Sequence, residues 1–90
     1  MITALVLFRV EKGKIQRLAN QLGAIEEVVE VLSITGEYDL MAKIQVQEYE
    51  SLSDIVTDKM QNTEGVLSTR TMMAFKTYKF HEWQLGLPME

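Results

Sequence analysis

The amino-acid sequence predicts an α+β sandwich in which a four-stranded antiparallel sheet carries two helices on one face. Apolar and β-branched residues mark four strand-like segments, and two other segments repeat apolar residues at helical spacing. The order is strand, helix, strand, a tight turn at Gly36, then strand, helix, strand. Right-handed crossovers in two such halves place both helices on the same face and strands one and three at the centre of the sheet. This is the ferredoxin-like βαββαβ arrangement.

The first half of the chain contains two predicted strands and one helix. Ile2 to Val10 is apolar on one face and partly apolar on the other, which is typical of a central strand covered on both faces. Apolar residues recur at helical spacing from Ile15 to Leu22, and we expect Gly23 to end this helix in the left-handed conformation. Ile25 to Ile34 is rich in β-branched residues and is predicted to be the second strand.

The second half repeats this order. Leu40 to Val46 alternates apolar and polar residues regularly, and its apolar face should meet the helices. The second helix is predicted over Glu50 to Asn62, with Gly65 just beyond its end. The last strand begins near Val66 and its strand-like composition continues to Phe80, which is long beside the usual ~5–6 residues. The expected buried stripe of the second helix consists of Leu52, Ile55, Val56 and Met60.

Length, charge and composition narrow the class of protein. Ninety residues make one domain, which we expect to span residues 1–80 and to be followed by a C-terminal tail over residues 81–90. The net charge is −4 and the basic residues are scattered, so direct contact with nucleic acid, which needs a basic face, is not expected. The chain has no cysteine, which excludes disulfides and thiolate zinc sites. Because no apolar run reaches the ~18 residues of a membrane helix and no signal peptide is evident, we expect a cytoplasmic protein without membrane contact.

The sheet face opposite the helices is predicted to carry many apolar residues. Leu5 and Leu7 lie on this face if the even-numbered residues of the first strand face the helices. A large exposed apolar patch indicates an interaction surface, which favours sheet-to-sheet dimerisation. The long last strand would then reach the second subunit, with Trp83 as an anchor. The alternative is a shorter last strand and a tail that folds over the sheet.

The sequence contains no histidine or cysteine group typical of catalysis or of a bound metal. Its acidic clusters, Glu26 with Glu27 and Glu30 and Glu48 with Glu50, are better explained as a solvated edge. His81 is the single histidine, and the chain offers no second histidine or cysteine for a metal cluster. The five glycines are isolated from one another, so there is no glycine-rich phosphate loop. The sequence therefore predicts a protein that is not an enzyme and uses no metal or cofactor.

The turn within SITGEYDLMAKIQV carries more chemistry than a turn requires. Turn geometry explains Gly36 and Asp39, and residue type alone makes Tyr38 an ordinary strand aromatic. Gly36-Glu37-Tyr38-Asp39, followed by Leu-Met-Ala-Lys-Ile and later by NTEGVLSTRTMM, nevertheless resembles the effector domain of the Lrp/AsnC transcription regulators. That domain is also called the RAM domain, and the resemblance covers nearly the entire chain.

The resemblance implies an amino-acid sensor that assembles. In this family sheet faces pair into dimers, dimers form rings that are often octamers, and amino-acid effectors bind in clefts between dimers. Mapped onto this sequence, the ligand-binding residues are Gly36, Tyr38 and Asp39 of the turn with Thr69 and Thr71 of the last strand. The two threonines should lie on one side of their strand. Asp39 is expected to accept the ammonium group of the ligand.

Full-length members of the family begin with a helix-turn-helix DNA-binding domain, whereas the first strand of this sequence starts at residue 2. We therefore expect a stand-alone effector module without DNA binding of its own. Its implied partners are a free amino acid, further copies of the same chain and a full-length regulator of the same family.

The sequence does not exclude two other functions. Small ferredoxin-like dimers include cofactor-free monooxygenases and related dimeric α+β barrels, whose cavities between helices and sheet often contain a histidine or a tryptophan. His81 and Trp83 keep an enzyme of this kind as one alternative. A purely structural oligomer, which predicts no amino-acid ligand, is the other.

Overall fold

The structure is a computed structural model that describes residues 1–81. Its elements are β1 (Ile2–Val10), α1 (Ile15–Gly23), β2 (Val28–Ser33), β3 (Leu40–Val46), α2 (Tyr49–Asp54), a π-helical continuation of α2 (Ile55–Met60) and β4 (Val66–Met73). Within the described residues the strands form one antiparallel sheet in the order β2-β3-β1-β4. The predicted ferredoxin-like fold is therefore confirmed, with β1 and β3 at the centre of the sheet.

The core lies between the sheet and the two helices. Phe8 of β1 is opposite Leu40 of β3 on one side and Thr69 of β4 on the other. The even-numbered residues of the two central strands face the helices and are buried from Ala4 and Leu40 onwards, as predicted. Full burial of one large apolar side chain stabilises the fold by about 1.5–3 kcal/mol, so this layer supplies most of the favourable free energy. The core consists of Ala4, Val6, Phe8, Val10, Leu18, Leu22, Leu40, Ala42, Ile44, Val46, Leu52, Ile55, Val56 and Met60.

The second helix matches its predicted extent and its predicted buried stripe. It begins one residue earlier and ends two residues earlier than expected, and all four residues of the stripe are buried. The N–H of Gln61 donates to the carbonyl of Val56 at 2.9 Å, a bond that spans five residues and marks a π-helical turn. This wider turn lets residues four and five apart share a face, which keeps Ile55, Val56 and Met60 together in the core.

The last strand is shorter than predicted. It ends at Met73 instead of continuing to Phe80, so the expectation of an unusually long strand is wrong. Met73 is opposite Ala4, and one further main-chain bond follows, from the N–H of Ala74 to the carbonyl of Thr3 at 3.0 Å. Beyond Ala74 the described residues are not part of a strand, and Thr77 and Phe80 line a concavity with Thr3 of β1.

The end of α1 also differs from the prediction. Gly23 is the last residue of the helix and does not have positive φ. Ala24 follows with φ −83°, and its N–H donates to the carbonyl of Gln21 at 3.2 Å. The N–H of Val28 then donates to the carbonyl of Ile25 at 3.1 Å, so Ile25 belongs to a turn and β2 begins at Val28. A left-handed Gly23 and a strand beginning at Ile25 are therefore wrong.

The sheet face opposite the helices, which we call the open face, is partly apolar as predicted. Strand register places on it the side chains that alternate with the core residues of β1 and β3 and their neighbours in β2 and β4. The predicted anchor Trp83 lies outside the described residues. The apolar members of the open face are Leu5, Leu7, Leu32, Met41 and Met72.

Candidate functional site: the β2–β3 turn and the edge of β4

The turn between β2 and β3 spans residues 34–39 and is bonded to the central strand. Gly36 has φ +117°, a left-handed conformation that residues with a side chain rarely adopt. The N–H of Asp39 donates to the carbonyl of Phe8 at 2.8 Å, and the carbonyl of Asp39 accepts from the N–H of Ile34 at 3.1 Å. These bonds hold the turn against β1, so its backbone shape is set before any ligand is present.

The Asp39 side chain has a structural partner in the main chain. β1 continues to Val10, whereas β3 begins at Leu40 opposite Phe8, so the last residues of β1 extend past the end of β3. The Oδ2 atom of Asp39 accepts a hydrogen bond from the N–H of Val10 at 2.8 Å in a partly buried position. The carboxylate thus replaces the carbonyl that a longer β3 would offer. Binding of a ligand ammonium by Asp39 stays a prediction, with one carboxylate oxygen already engaged.

A concavity of about 370 Å³ beside the turn is lined by Arg9, Gly36, Glu37 and Tyr38. Arg9 follows the buried Phe8 along β1 and is exposed, so its side chain lies on the open face. The residues that line the concavity carry a guanidinium, a carboxylate and a phenol hydroxyl, and Gly36 has no side chain. Groups of both charges in one small concavity match a ligand that itself carries both charges, since a guanidinium pairs with a carboxylate through two parallel hydrogen bonds.

Thr69 and Thr71 share one face of β4, as predicted, and this face is turned towards the second helix. Thr69 lies opposite the buried Phe8. Gln61 Nε2 donates to Thr69 Oγ1 at 3.3 Å, and Thr71 lines a groove of about 280 Å³ together with residues of the second helix. The threonines and Arg9 therefore lie on opposite faces of the sheet. Within one protomer the predicted ligand residues are divided between two separate surfaces.

Glu64 and Gly65, within the stretch NTEGVLSTRTMM, join the start of β4 to the loop that follows β1. The N–H of Glu11 donates to the carbonyl of Gly65 at 2.8 Å, and Lys14 Nζ donates to Glu64 Oε2 at 2.8 Å. The hydrogen bond and the charge of Lys14 hold the pKa of Glu64 below its ordinary value, and the same hydrogen bond raises the pKa of Lys14. These contacts fix where β4 begins, and therefore where Thr69 lies.

Comparison with known proteins identifies the family. A family model described as the Lrp/AsnC ligand binding domain matches residues 3–84, nearly the whole chain. The chain belongs to the Lrp/AsnC ligand-binding domain family. As the resemblance of the turn and β4 motifs implies, it is a regulatory effector domain.

Curated Lrp/AsnC relatives are longer than this chain. The chain is 37% identical over 78 residues to the HTH-type transcriptional regulator FL11 of Pyrococcus furiosus, a match that covers 87% of this chain and 51% of that protein. The chain thus spans about half the length of the curated relatives it matches. These relatives are named HTH-type transcriptional regulators, in keeping with a regulatory role for the Lrp/AsnC domain.

Solved structures with the Lrp/AsnC fold include chains about as long as this domain and chains that are longer. TTHA0845 from Thermus thermophilus is 40% identical with a TM-score of 0.83, and the match covers 89% of this chain and 100% of that chain. The transcriptional regulator NMB0573 from Neisseria meningitidis, solved as a complex with L-Met, has a TM-score of 0.80, and the match covers 97% of this chain and 56% of that chain. At 22% identity the second likeness shows the fold alone.

Sequence reasoning missed Arg9 as a residue of the candidate site in this Lrp/AsnC domain. The signal was present, because Arg9 is the single charged residue in the apolar segment from Ile2 to Val10. In the predicted topology β1 is flanked by β3, and the end of β1 lies beside the turn that precedes β3. A lone charge at that end of the strand therefore points towards the turn motif.

Two kinds of feature were not found in the part of the chain that the structure describes. Among residues 1–81 there is no cluster of three or more His, Cys, Asp or Glu side chains that could hold a metal ion. Over the same residues, no helix has both the length and the apolar character needed to span a membrane.

Proposed function

We propose that this Lrp/AsnC domain senses a free amino acid and reports it through its state of assembly. The observation that carries the proposal is the concavity lined by Arg9, Gly36, Glu37 and Tyr38, which offers both charges beside a pre-shaped turn. The description of the family as a ligand-binding domain supports it, as does the solved complex of NMB0573, a protein of the same fold, with L-Met. The role is regulatory binding and includes no catalytic step.

The chemistry of the concavity suits the head group of an amino acid. The Arg9 guanidinium pairs with the ligand carboxylate, and the Glu37 carboxylate pairs with the ligand ammonium. Absence of a side chain at Gly36 lets the ligand approach backbone N–H groups of the turn. Hydrogen bonds to charged groups contribute about 1.5–3 kcal/mol each, so two or three of them with some burial give micromolar affinity, about −8 kcal/mol.

A site that uses all five predicted residues requires more than one copy of the chain. Gly36 and Tyr38 line the concavity with Arg9, whereas Thr69 and Thr71 face the second helix. A single ligand therefore touches both groups only when neighbouring copies bring the turn of one to the β4 of another. Pairing of open faces into dimers, and of dimers into an octamer-like ring, is the assembly we propose for this purpose.

Assembly is the output of ligand binding. A ligand shifts an equilibrium between assembly states only by its preference for one of them. An amino acid that binds better between dimers stabilises the ring relative to free dimers. An amino acid that binds better to the free dimer favours dissociation of the ring. The proposed partner for this output is a full-length Lrp/AsnC regulator in the cytoplasm, which itself contacts DNA.

One experiment tests the proposal. The twenty amino acids are screened by thermal shift, with particle mass measured by light scattering under the same conditions. Binding to the native state raises the melting temperature by mass action, so at least one amino acid should raise it and change the mass distribution together. No shift with any of the twenty would contradict sensing. A species of 10.3 kDa, the mass of one chain, with or without ligand would contradict assembly.

A variant of the open face separates folding from assembly. Leu7→Glu introduces a charge at the centre of the open face, opposite Met41 and Arg70. We expect a folded protein of lower mass, because Leu7 lies outside the core. The matched control is Ile15→Glu, which introduces the same charge at a half-exposed apolar residue of α1 and should leave the mass unchanged.

A further inference from the structure

The helix-facing side of β4 is less well covered than the same side of β1, its neighbour in the sheet. Ala4 and Val6 of β1 are fully buried, whereas Met73 and Thr71, which lie opposite them in β4, are exposed. The groove of about 280 Å³ that Thr71 lines lies in this gap between the second helix and the outer strand β4. An apolar group bound there would extend the core of the protein and would leave water in doing so.

The groove has an apolar interior. Leu52 and Val56 of the second helix line it and are only 5% and 8% exposed, so they belong to the core as well as to the wall of the groove. Met73 lines it from β4, and Tyr49, which is 63% exposed, adds an aromatic ring. Each methylene group of a ligand that is buried against these side chains should tighten binding roughly fourfold.

The remaining residues that line the groove bear hydroxyl groups. They are Ser53 and Thr57 of the second helix and Thr71 of β4. Among the residues that the structure describes, those lining the groove include no carboxylate, ammonium or guanidinium group. Two aspartates of the same helix, Asp54 and Asp58, are exposed and do not line the groove.

This lining selects a ligand by charge. A charged side chain bound in the groove would lose hydration without gaining a partner of opposite charge, and burial of an unpaired charge is costly. An uncharged polar group is tolerated, because hydroxyls can both donate and accept hydrogen bonds. Size excludes little, since about 280 Å³ is roughly nine times the ~30 Å³ that one water molecule occupies in the liquid.

Thr71 links the groove to the proposed ligand site. It is one of the five predicted ligand residues, and together with Thr69 it lies on the surface that the turn of a neighbouring copy must meet. The concavity beside Gly36 takes the charged head group of the amino acid, so the side chain is the part of the ligand that is left to reach the groove. Different copies of the chain then recognise the head group and the side chain.

We propose that the groove between the second helix and β4 binds the side chain of the effector, and that the effector is consequently an amino acid with an uncharged, mainly apolar side chain. The inference rests on the proposed amino-acid sensing and adds the class of amino acid that is sensed. The apolar wall supplies affinity, and the uncharged lining discriminates against acidic and basic amino acids.

The first test compares two ligands that differ by one charged group. Norleucine and lysine have the same four-carbon side chain, to which lysine adds a terminal ammonium group. Isothermal titration of the full chain should give binding of norleucine that is tighter by about tenfold or more. Equal or tighter binding of lysine would overturn the proposal.

The second test introduces an opposite charge into the groove. Ser53→Asp places a carboxylate among the lining residues and should lower the preference for norleucine over lysine by about tenfold. The matched control is Ser51→Asp, the same substitution two positions earlier, because residues two apart on a helix do not face each other and Ser51 does not line the groove. Each preference compares two ligands on one protein, so an effect of the variant on folding or assembly that is common to both ligands cancels. An unchanged preference in Ser53→Asp, or an equal change in the two variants, would exclude the groove from the site.

The class of ligand and amino-acid sensing itself fail in different ways. A charged amino acid as the tightest binder among the twenty would overturn the proposed class and leave sensing in place. A chain that binds none of the twenty, and norleucine no better, would contradict sensing and the inference with it.

Discussion

The Oδ2 atom of Asp39 accepts the N–H of Val10 at 2.8 Å, across 29 positions of the chain. The bond joins the turn before β3 to the last residue of β1, where the two strands have unequal length. The aspartate of the Gly-x-Tyr-Asp motif therefore makes a structural hydrogen bond even when no ligand is bound. The same residue that the family resemblance assigns to the ligand bonds the turn that borders the concavity to β1.

Replacing Asp39 by alanine should destabilise the fold as well as weaken ligand binding. The N–H of Val10 would lose its acceptor in a partly buried position, at a cost of about 1–3 kcal/mol in the free energy of unfolding. Asp39→Asn keeps an oxygen that can accept the bond and should retain most of the stability. Urea unfolding of the two variants measures the difference. Equal stability of Asp39→Ala and the wild type would show that the bond contributes nothing.

Local sequence patterns predicted those parts of the fold that depend on the periodicity of apolar residues. β1, β3 and the buried stripe of the second helix were correct because period-two and helical patterns record which side of an element is buried. The end of β4 could not be read in this way, because it depends on where its neighbour β1 starts. The prediction of a left-handed Gly23 was wrong for a related reason. Glycine permits a left-handed helix end, but the turn that follows, with its bond from the N–H of Val28 to the carbonyl of Ile25, does not require a left-handed residue.

The candidate site was predictable in its motif and not in its geometry. Gly36, Tyr38 and Asp39 form a continuous stretch whose composition is unusual for a turn, so the sequence marks them. The separation of Arg9, which lies beside the turn, from Thr69 by the thickness of the sheet follows from strand register, which places alternate residues on opposite faces. Likewise the acceptor role of the Asp39 carboxylate depends on the unequal lengths of two strands that are distant in sequence.

Arg9 is expected to carry the recognition of the ligand carboxylate. Arg9→Gln removes the charge-assisted hydrogen bonds and should weaken amino-acid binding by about tenfold or more, with little change in stability because Arg9 is exposed. Isothermal titration with an amino acid identified by the thermal-shift screen measures the affinity. Lys12→Gln removes one exposed cation from the loop after β1 and serves as the control. Equal affinities of the Arg9 variant, the control and the wild type would exclude Arg9 from the site.

Gly65 should not tolerate a side chain. Its φ is +97°, and a Cβ atom there would lie 3.3 Å from the Cβ of Lys14. Backbone strain of this kind costs about 1–3 kcal/mol, so Gly65→Ala should lower the free energy of unfolding by that amount. Gly23→Ala is the control, since Gly23 lacks positive φ and a Cβ atom there would meet nothing within 4 Å; it should be neutral or stabilising by up to about 1 kcal/mol. Chemical denaturation of both variants gives the comparison, and a similar response of the two would contradict the argument.

The ion pair between Lys14 and Glu64 should stabilise the fold in a defined pH window. The lowered pKa of Glu64 means that its contribution is present above the pKa of the unfolded chain and is lost as the pH falls through the folded pKa. The raised pKa of Lys14 means that its contribution is complete below the unfolded pKa and is lost as the pH rises through the folded pKa.

Glu64→Gln should therefore lower the melting temperature slightly between these two pH limits. The effect should be smaller at high salt, because both groups are solvent-exposed. In acid the variant and the wild type should have the same melting temperature. Glu26→Gln, which neutralises a glutamate between α1 and β2, is the control. Melting curves from acid to alkaline pH measure the effect, and a difference between Glu64→Gln and the wild type that persists unchanged into acid would mean that the loss has another origin than the ion pair.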